Sequence, residues 1–336
     1  MISSITNGMK DLIGIVTFFV FITLFLFNTQ LLDYFGIFIA NQWLHVNAIF
    51  ISILLEAFPF VLLGVFVSAL IQSFVSEDTL QRVLPKHAYL GLIPAALLGA
   101  IFPVCECAII PVVRRLIKKG MPLQFGVVLM MSAPILNPIV AASTYYAFQQ
   151  DLTMLYLRMS LGFILSIIIG FIMFQLFGKT NQLRWTKEEL TGASSIQRSK
   201  KRNKWKQTFY HASDEFFDMG KYLIFGAFLA SIVNVFLDRT MLASLTSNEA
   251  GSTAIMMGLA FILSLCSEAD AFVASSFSNQ FSSASLLAFL VFGPMLDLKN
   301  VLLYLAYFKT KFVLILTITI TTATFCSVLL VHIFLQ

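Results

Sequence analysis

Phe102-Pro103-Val104-Cys105-Glu106-Cys107-Ala108-Ile109-Ile110-Pro111 interrupts an apolar run that extends from about residue 89 to 113. A carboxylate between two thiols, bracketed by prolines, is out of place on a smooth apolar helix. Proline removes a backbone donor and clashes with the preceding turn, so the pattern predicts a broken or unwound segment. In a continuous helix, residues two apart point about 200° away from each other, and Cys105 and Cys107 could not share a ligand. In an extended stretch they can face one cavity, and non-helical backbone is tolerated at membrane depth where it lines such a cavity. The alternative is two small buried cysteines that happen to lie close together.

The rest of the chain supplies the membrane that this reading needs. Of 336 residues, 58% are hydrophobic and 12% charged, and Phe occurs 35 times. A soluble domain carries roughly 25% charged residues. A membrane helix takes about 20 mostly apolar residues, and nine of them would absorb nearly all the apolar side chains. A soluble enzyme, a disordered chain and a disulfide scaffold are excluded. The apolar runs are continuous rather than alternating, which argues against a barrel. The fold expected is an all-α, polytopic transmembrane protein of about nine spans. They fall near 11–30, 48–75, 89–113, 121–148, 155–178, 215–238, 253–278, 284–308 and 312–335. The first run has no small-residue cleavage site behind it and reads as a retained span.

Charge orients these spans. Nine of the 22 basic residues lie in one polar connector, from Lys179 to Lys206, and Arg114-Arg115-Leu116-Ile117-Lys118-Lys119 forms a second cluster. Basic loops stay cytoplasmic. With nine spans the C-terminus falls inside, but Lys309 and Lys311 fall outside, against the rule. The basic residues sit beside spans, so they are no nucleic-acid signal; lipid is the surroundings.

Two halves can be laid over each other. Glu56 meets Asp218, Pro103-Val104-Cys105-Glu106-Cys107 meets Ser264-Leu265-Cys266-Ser267-Glu268, and Ala133-Pro134-Ile135-Leu136-Asn137 meets Gly293-Pro294-Met295-Leu296-Asp297. The organisation expected is an N-terminal span and interfacial segment (1–47), a first membrane repeat with broken helices (48–178), a basic cytoplasmic linker (179–210) and a second repeat (211–336). Four spans each would make the repeats parallel; an odd number would invert them. Such repeats are common in secondary transporters, whose sites lie between them near the midplane.

An ionisable group at membrane depth costs about 2.5–3.5 kcal/mol on insertion scales. Glu56, Glu106, Asp218, Lys221, Glu268, Asp270, Asp297 and Lys299 therefore need a reason, with internal pairing the plain one for Lys221 and Lys299. Pro134 and Pro138 flank Asn137 in a second break, which can free carbonyls and aim an amide at a cavity. Cys326 has no polar neighbour and reads as packing. No His-Glu-x-x-His and no phosphate-cradling glycine loop occurs, so neither a zinc enzyme nor ATP drive within this chain is indicated.

The run FPVCECAIIPVVRRLIKKGMPLQFGVVLMMSAPILNP, residues 102–138, resembles the core of a widespread bacterial family of predicted permeases. That family includes ArsP-type exporters of trivalent organoarsenicals and a branch linked to copper and zinc efflux. The likeness covers about 48–310. It implies transport, and by position it points to Cys105, Cys107, Pro134 and Asn137.

The function expected is a multi-pass secondary permease of the bacterial inner membrane, not an enzyme and with no cofactor. Its substrate is a soft metal ion or trivalent metalloid, exported by proton-coupled exchange. Cys105 and Cys107, with Cys266, are the expected metal ligands, since thiolates prefer soft ions. Glu106, Asn137 and Asp297 are further substrate contacts, and Glu56, Glu268 and Asp270 the proton-coupling acids. Three alternatives stay open: a permease for a small organic or anionic solute, a membrane thiol oxidoreductase cycling Cys105 and Cys107, and a subunit that works with an extracytoplasmic or membrane partner. The charge pattern has a direct check. A cysteine placed at Lys201 should resist an impermeant thiol reagent added to intact cells, and ready labelling would invert the orientation.

Overall fold

Residues 40–74, 91–101, 105–149, 151–178, 180, 182–184, 204–236, 248–278 and 280–335 are described by the computed structural model. The expected first span at 11–30, Pro103, the side chain of Asp218 and most of the basic connector lie outside them. Twelve helices are described. The first half holds α1 (Ala40–Phe74), α2 (Leu92–Ile101), α3 (Glu106–Lys118), α4 (Leu123–Leu136), α5 (Pro138–Ala147) and α6 (Leu152–Phe177). The second half repeats the order with α7 (Lys204–Phe236), α8 (Glu249–Leu263), α9 (Ser267–Ser276), α10 (Ser283–Met295), α11 (Leu298–Tyr307) and α12 (Thr310–Leu335). Among the described residues the one β-type pairing is an isolated bridge, Leu183 to Phe308.

At two of the helix breaks, those before α5 and α11, a polar cap replaces the missing helical bonds. Cys105 is extended (φ −69°, ψ 165°) and precedes the first turn of α3. Pro111, expected to bound that break, instead sits inside α3, which continues to Lys118. Pro134 and Pro294 likewise lie within the last turns of α4 and α10, and the breaks follow them at Asn137 and at Leu296-Asp297. A proline withholds one donor from the turn before it, so it weakens a helix locally; the polar caps complete the interruption. Asn137 Oδ1 accepts from the Ile139 N–H at 2.9 Å, and Asp297 Oδ1 from the Asn300 N–H at 2.6 Å. Five helical stretches, Gln42–Leu70, Leu123–Ala147, Leu152–Phe177, Ser283–Tyr307 and Thr310–Phe334, are long and apolar enough to cross a membrane.

The runs expected as single spans at 89–113 and 253–278 are each split into two helices that fold back. Gly91 abuts Phe125 and Gly99 abuts Ser132, so α2 runs parallel to α4. Gly126 abuts Val113 and Ile117, so α3 returns to the level at which α4 begins. Together α2 and α3 form a hairpin that enters and leaves on one side. In the second half Ser282 and Ser285 bond to Glu249, and Gly293 lies against both Ala260 and Asp270. Here α8 and α9 fold back on α10 in the same way.

Among the described residues each half thus has one hairpin folded back on a long broken helix, and the second half runs inverted to the first. The contacts agree: Phe50 meets Phe228 and Phe58 meets Phe216, which sets α1 antiparallel to α7. Phe177 at the end of α6 meets Phe312 at the start of α12. The expectation for the last two lysines is corrected. The Lys309 N–H donates to Gln182 O at 2.9 Å and the Arg184 N–H to Tyr307 O at 2.8 Å, joining the start of the basic connector to the start of α12. Arg114 stacks on the Tyr307 ring at 4.5 Å on the same side. Lys309 and Lys311 therefore lie with the other basic residues, as the charge rule asks. The end of α12, where His332 Nδ1 lies 3.8 Å from Glu249, is on the opposite side, and so is the C-terminus that a nine-span count put inside.

Packing is close at the centre and apolar at the rim. α4 and α10 are buried along nearly their whole length, while Leu55, Phe58, Leu97, Phe171, Leu314 and Ile318 point outward, as lipid requires. Cys326, expected to be packing, is exposed on α12. Helix backbones approach closely at small residues: a Cβ on Gly64 would overlap both the Cβ and the backbone of Ala108, so α1 lies directly on α3. The inverted arrangement has its own check. In a Cys326→Ser background, Ser278→Cys should label from outside intact cells and Lys311→Cys should not; the reverse pattern would overturn it.

Candidate functional site

Four half-helices start inside the protein. Those of α3, α9 and α11 converge, because α11 packs on α3 and α9 lies against α5 and α10. A helix N-terminus carries unpaired N–H groups and favours negative charge, and Glu106, Glu268 and Asp270 occupy first turns accordingly. α11 breaks the pattern by placing Lys299 in its first turn, fully enclosed.

Lys299 organises the cluster. Its Nζ lies 3.1 Å from Glu106 Oε1 and 3.3 Å from Asp297 Oδ2. It also donates to Ser264 O at 3.0 Å and Leu265 O at 3.3 Å, beyond the end of α8. Ser264 is left-handed (φ 47°, ψ 45°), a conformation that strains a residue with a side chain by about 1–3 kcal/mol. That turn leaves the two carbonyls on the ammonium, and Ser264 Oγ accepts from the Leu298 N–H at 3.0 Å, tying α8 to α11. Ser267 Oγ donates to the other oxygen of Glu106 at 3.1 Å. Glu106 and Ser267 are the first helical residues of α3 and α9, so equivalent positions of the two halves touch each other.

The thiols border this cluster. Cys105, Cys107 and Cys266 are free and buried, and the Cys105 and Cys107 side chains are within hydrogen-bonding reach of each other. Cys107 Sγ lies 4.0 Å from Asn300 Oδ1. Cys266 precedes α9 as Cys105 precedes α3. Among the described residues, no three His, Cys, Asp or Glu side chains are gathered as a metal-holding group.

Other expected site residues are distributed around it. Asp270 is buried and its Oδ2 has no hydrogen-bond partner among the described residues. The absent side chain of Gly293 leaves room for it. Glu268 and Glu56 are half-buried. Asn137 is committed to capping α5.

Sequence reasoning missed Arg158, Ser267 and Asn300. Arg158 is fully buried in α6; it donates to Thr144 Oγ1 at 2.6 Å and to Ser267 O at 2.9 Å, and it balances the charges of Asp270 and Glu268. An arginine inside the apolar run Met154–Phe163 was a visible signal. Ser267 and Asn300 carry no charge and gave none.

Broken helices in two inverted halves, with hairpin tips meeting over buried charge, are an arrangement that recurs in membrane transporters. The chain belongs to the ArsP_1 family of predicted permeases, whose model matches residues 42–333. It is 48% identical over 291 residues to the UPF0718 protein YcgR of Bacillus subtilis strain 168, covering 87% of this chain and 98% of that one. It is 40% identical over 270 residues to a Streptococcus mutans protein provisionally named as a subunit of a two-component membrane permease complex, covering 80% of this chain and 88% of that one. No solved structure gives a significant match. The protein is a multi-pass permease of the bacterial cytoplasmic membrane.

The buried arginine generates a test. Arg158→Met leaves the Thr144 hydroxyl and the Ser267 carbonyl without their donor, which should lower stability by about 1–3 kcal/mol for each group left unpaired, read as a fall in melting temperature in detergent. Arg158→Lys, which can keep one of the two bonds, should recover part of the loss. A methionine variant as stable as the native protein would show that this clamp contributes nothing to stability.

Proposed function

We propose that this permease exports a soft metal ion or trivalent metalloid, in exchange for protons, from a site at the Cys105-Glu106-Cys107 turn. The observation that carries the reading is the pairing of two buried thiols at one helix break, with a third buried thiol, Cys266, at the equivalent break of the other half. Thiolates select soft ions such as Cu(I) and Zn(II). Binding requires them to be deprotonated, so an arriving ion releases protons, and proton exchange is chemically natural there. Cys105 and Cys107 form the pair in this conformation; Cys266 would join as a third ligand when the ion binds. Asp270, Glu268 and Glu56 supply carboxylates to receive protons, and Asp297 holds the N-terminus of α11 against the site. Asn137 acts by keeping α5 separate from α4.

The naming of the Streptococcus relative as one subunit of a two-component complex supports a second membrane component for this chain as well. A permease for an anionic solute is the rival reading, favoured by the buried ammonium of Lys299.

Two measurements on one set of variants test the proposal. The native protein, loaded with Cu(I), Zn(II) or arsenite and desalted, should retain one of them, and cells expressing it should gain resistance to that substance. Cys105→Ser and Cys107→Ser should each abolish retention and resistance while inserted protein persists. Full retention and resistance in the double variant would overturn the soft-ion reading and leave the anionic solute.

A further inference from the structure

We infer that the four oxygens around Lys299 form a binding site for a small hard monovalent cation, Na+, and that the ammonium is its tethered occupant, exchanged for the free ion during the transport cycle. The inference rests on the chain being a secondary permease and is independent of the cargo at the thiols.

The geometry is that of a cation cage. Glu106 Oε1, Asp297 Oδ2, Ser264 O and Leu265 O lie 3.1, 3.3, 3.0 and 3.3 Å from Nζ. Two carboxylates and two carbonyls are a hard oxygen set. In transporters with broken helices, unwound carbonyls and half-helix C-termini are the groups that hold coupling ions, and Ser264 and Leu265 are the unwound residues after α8. Neither Glu106 Oε1 nor Asp297 Oδ2 has a hydrogen-bond donor among the described residues, so the ammonium is their one counterpart. Both residues are nearly wholly buried, at 1% exposure each.

The occupant is held by the cage and not by its own helix. Lys299 sits in the first turn of α11, where the helix end is positive and disfavours a cation. Its backbone is pinned against α7, since a Cβ on Gly226 would lie 3.1 Å from Lys299 Cβ. Its mobile part is therefore the four-carbon stem, which can leave without moving α11. Glu106, Asp297 and Lys299 sum to one net negative charge. The other ionisable groups facing the ammonium are Cys107 from α3, Cys266 before α9 and Asp270 on α9, none of them cationic, so its departure leaves a site that calls for a cation.

The test uses purified full-length protein in detergent, melted in NaCl and in choline chloride at equal ionic strength. The Asp297→Asn/Lys299→Ala variant keeps the native net charge of the cage while vacating it. Its melting temperature should rise by about 2–4 °C or more in NaCl, saturating with Na+ concentration, while the native protein at neutral pH does not respond. Lys299→Gln alone should respond more strongly, and folding only in NaCl would also support the site. Adding Glu106→Gln to the double variant should remove the response. Equal melting in both salts, persistence of the Na+ effect in the triple variant, or failure of both vacated variants to fold in any salt would overturn the inference. A salt-independent melt that shifts with pH would do the same, showing that the cage takes a proton. None of these outcomes bears on metal retention by Cys105 and Cys107, so the two readings fail separately.

Discussion

The ion contact between the Lys299 ammonium and the carboxylates of Glu106 and Asp297 sets a condition that the surrounding backbone has to meet. A charge inside a membrane protein cannot fall back on water, and removing one member of a buried ionic set leaves the others uncompensated. An intact helix has no carbonyl to offer, since each is bonded four residues along. The breaks before α3, before α9 and between α10 and α11 solve this by exposing backbone groups at one level. The same breaks create new unpaired N–H groups, which Asp297 and Ser264 bind. Cluster and breaks depend on each other, and neither is stable in lipid alone. A well-packed apolar set is often as stable as a buried ionic one, so stability alone does not explain these charges.

The halves share their order of elements and differ in what they carry. Cys105 and Cys266 both precede a half-helix, and Asn137 and Asp297 both cap one. Yet Glu106 corresponds to Ser267, Cys107 to Glu268 and Ile139 to Lys299. A pair of equivalent scaffolds therefore builds one centre in which the two halves face each other with complementary groups, the Ser267 hydroxyl on the Glu106 carboxylate being the direct contact. Arg158 adds to the asymmetry: the matching position of α12 is Leu316. Its bonds to Thr144 and Ser267 clamp α5 and α9 together across the halves.

Membrane class, helical content and the breaks near Cys105, Asn137 and Asp297 were legible in the sequence, because they depend on composition and proline counted along the chain. The cysteine-bearing turn was legible too, as a polar interruption of an apolar run. The count of crossings was not. Residues 92–118 are apolar enough to read as a span, and only the contacts of Gly91, Gly99 and Gly126 with α3 and α4 show that they turn back. With that, Lys309 and Lys311 change sides. Local hydropathy reports that a segment leaves water; it does not report whether the chain comes out on the far side.

By itself, then, the sequence determined that this is a broken-helix membrane protein with thiols and acids at its interruptions. The tertiary structure alone decided which of those groups meet. Glu106 and Lys299 are nearly two hundred residues apart, and their encounter depends on the inverted packing of two halves. Lys299 reads in sequence as one ionisable residue among eight; in space it is the cation around which two carboxylates and two carbonyls are arranged. The physical reason is that periodicity and propensity act over a turn or two of chain, whereas the pairing of buried charges is a property of the enclosed volume in which they are brought together.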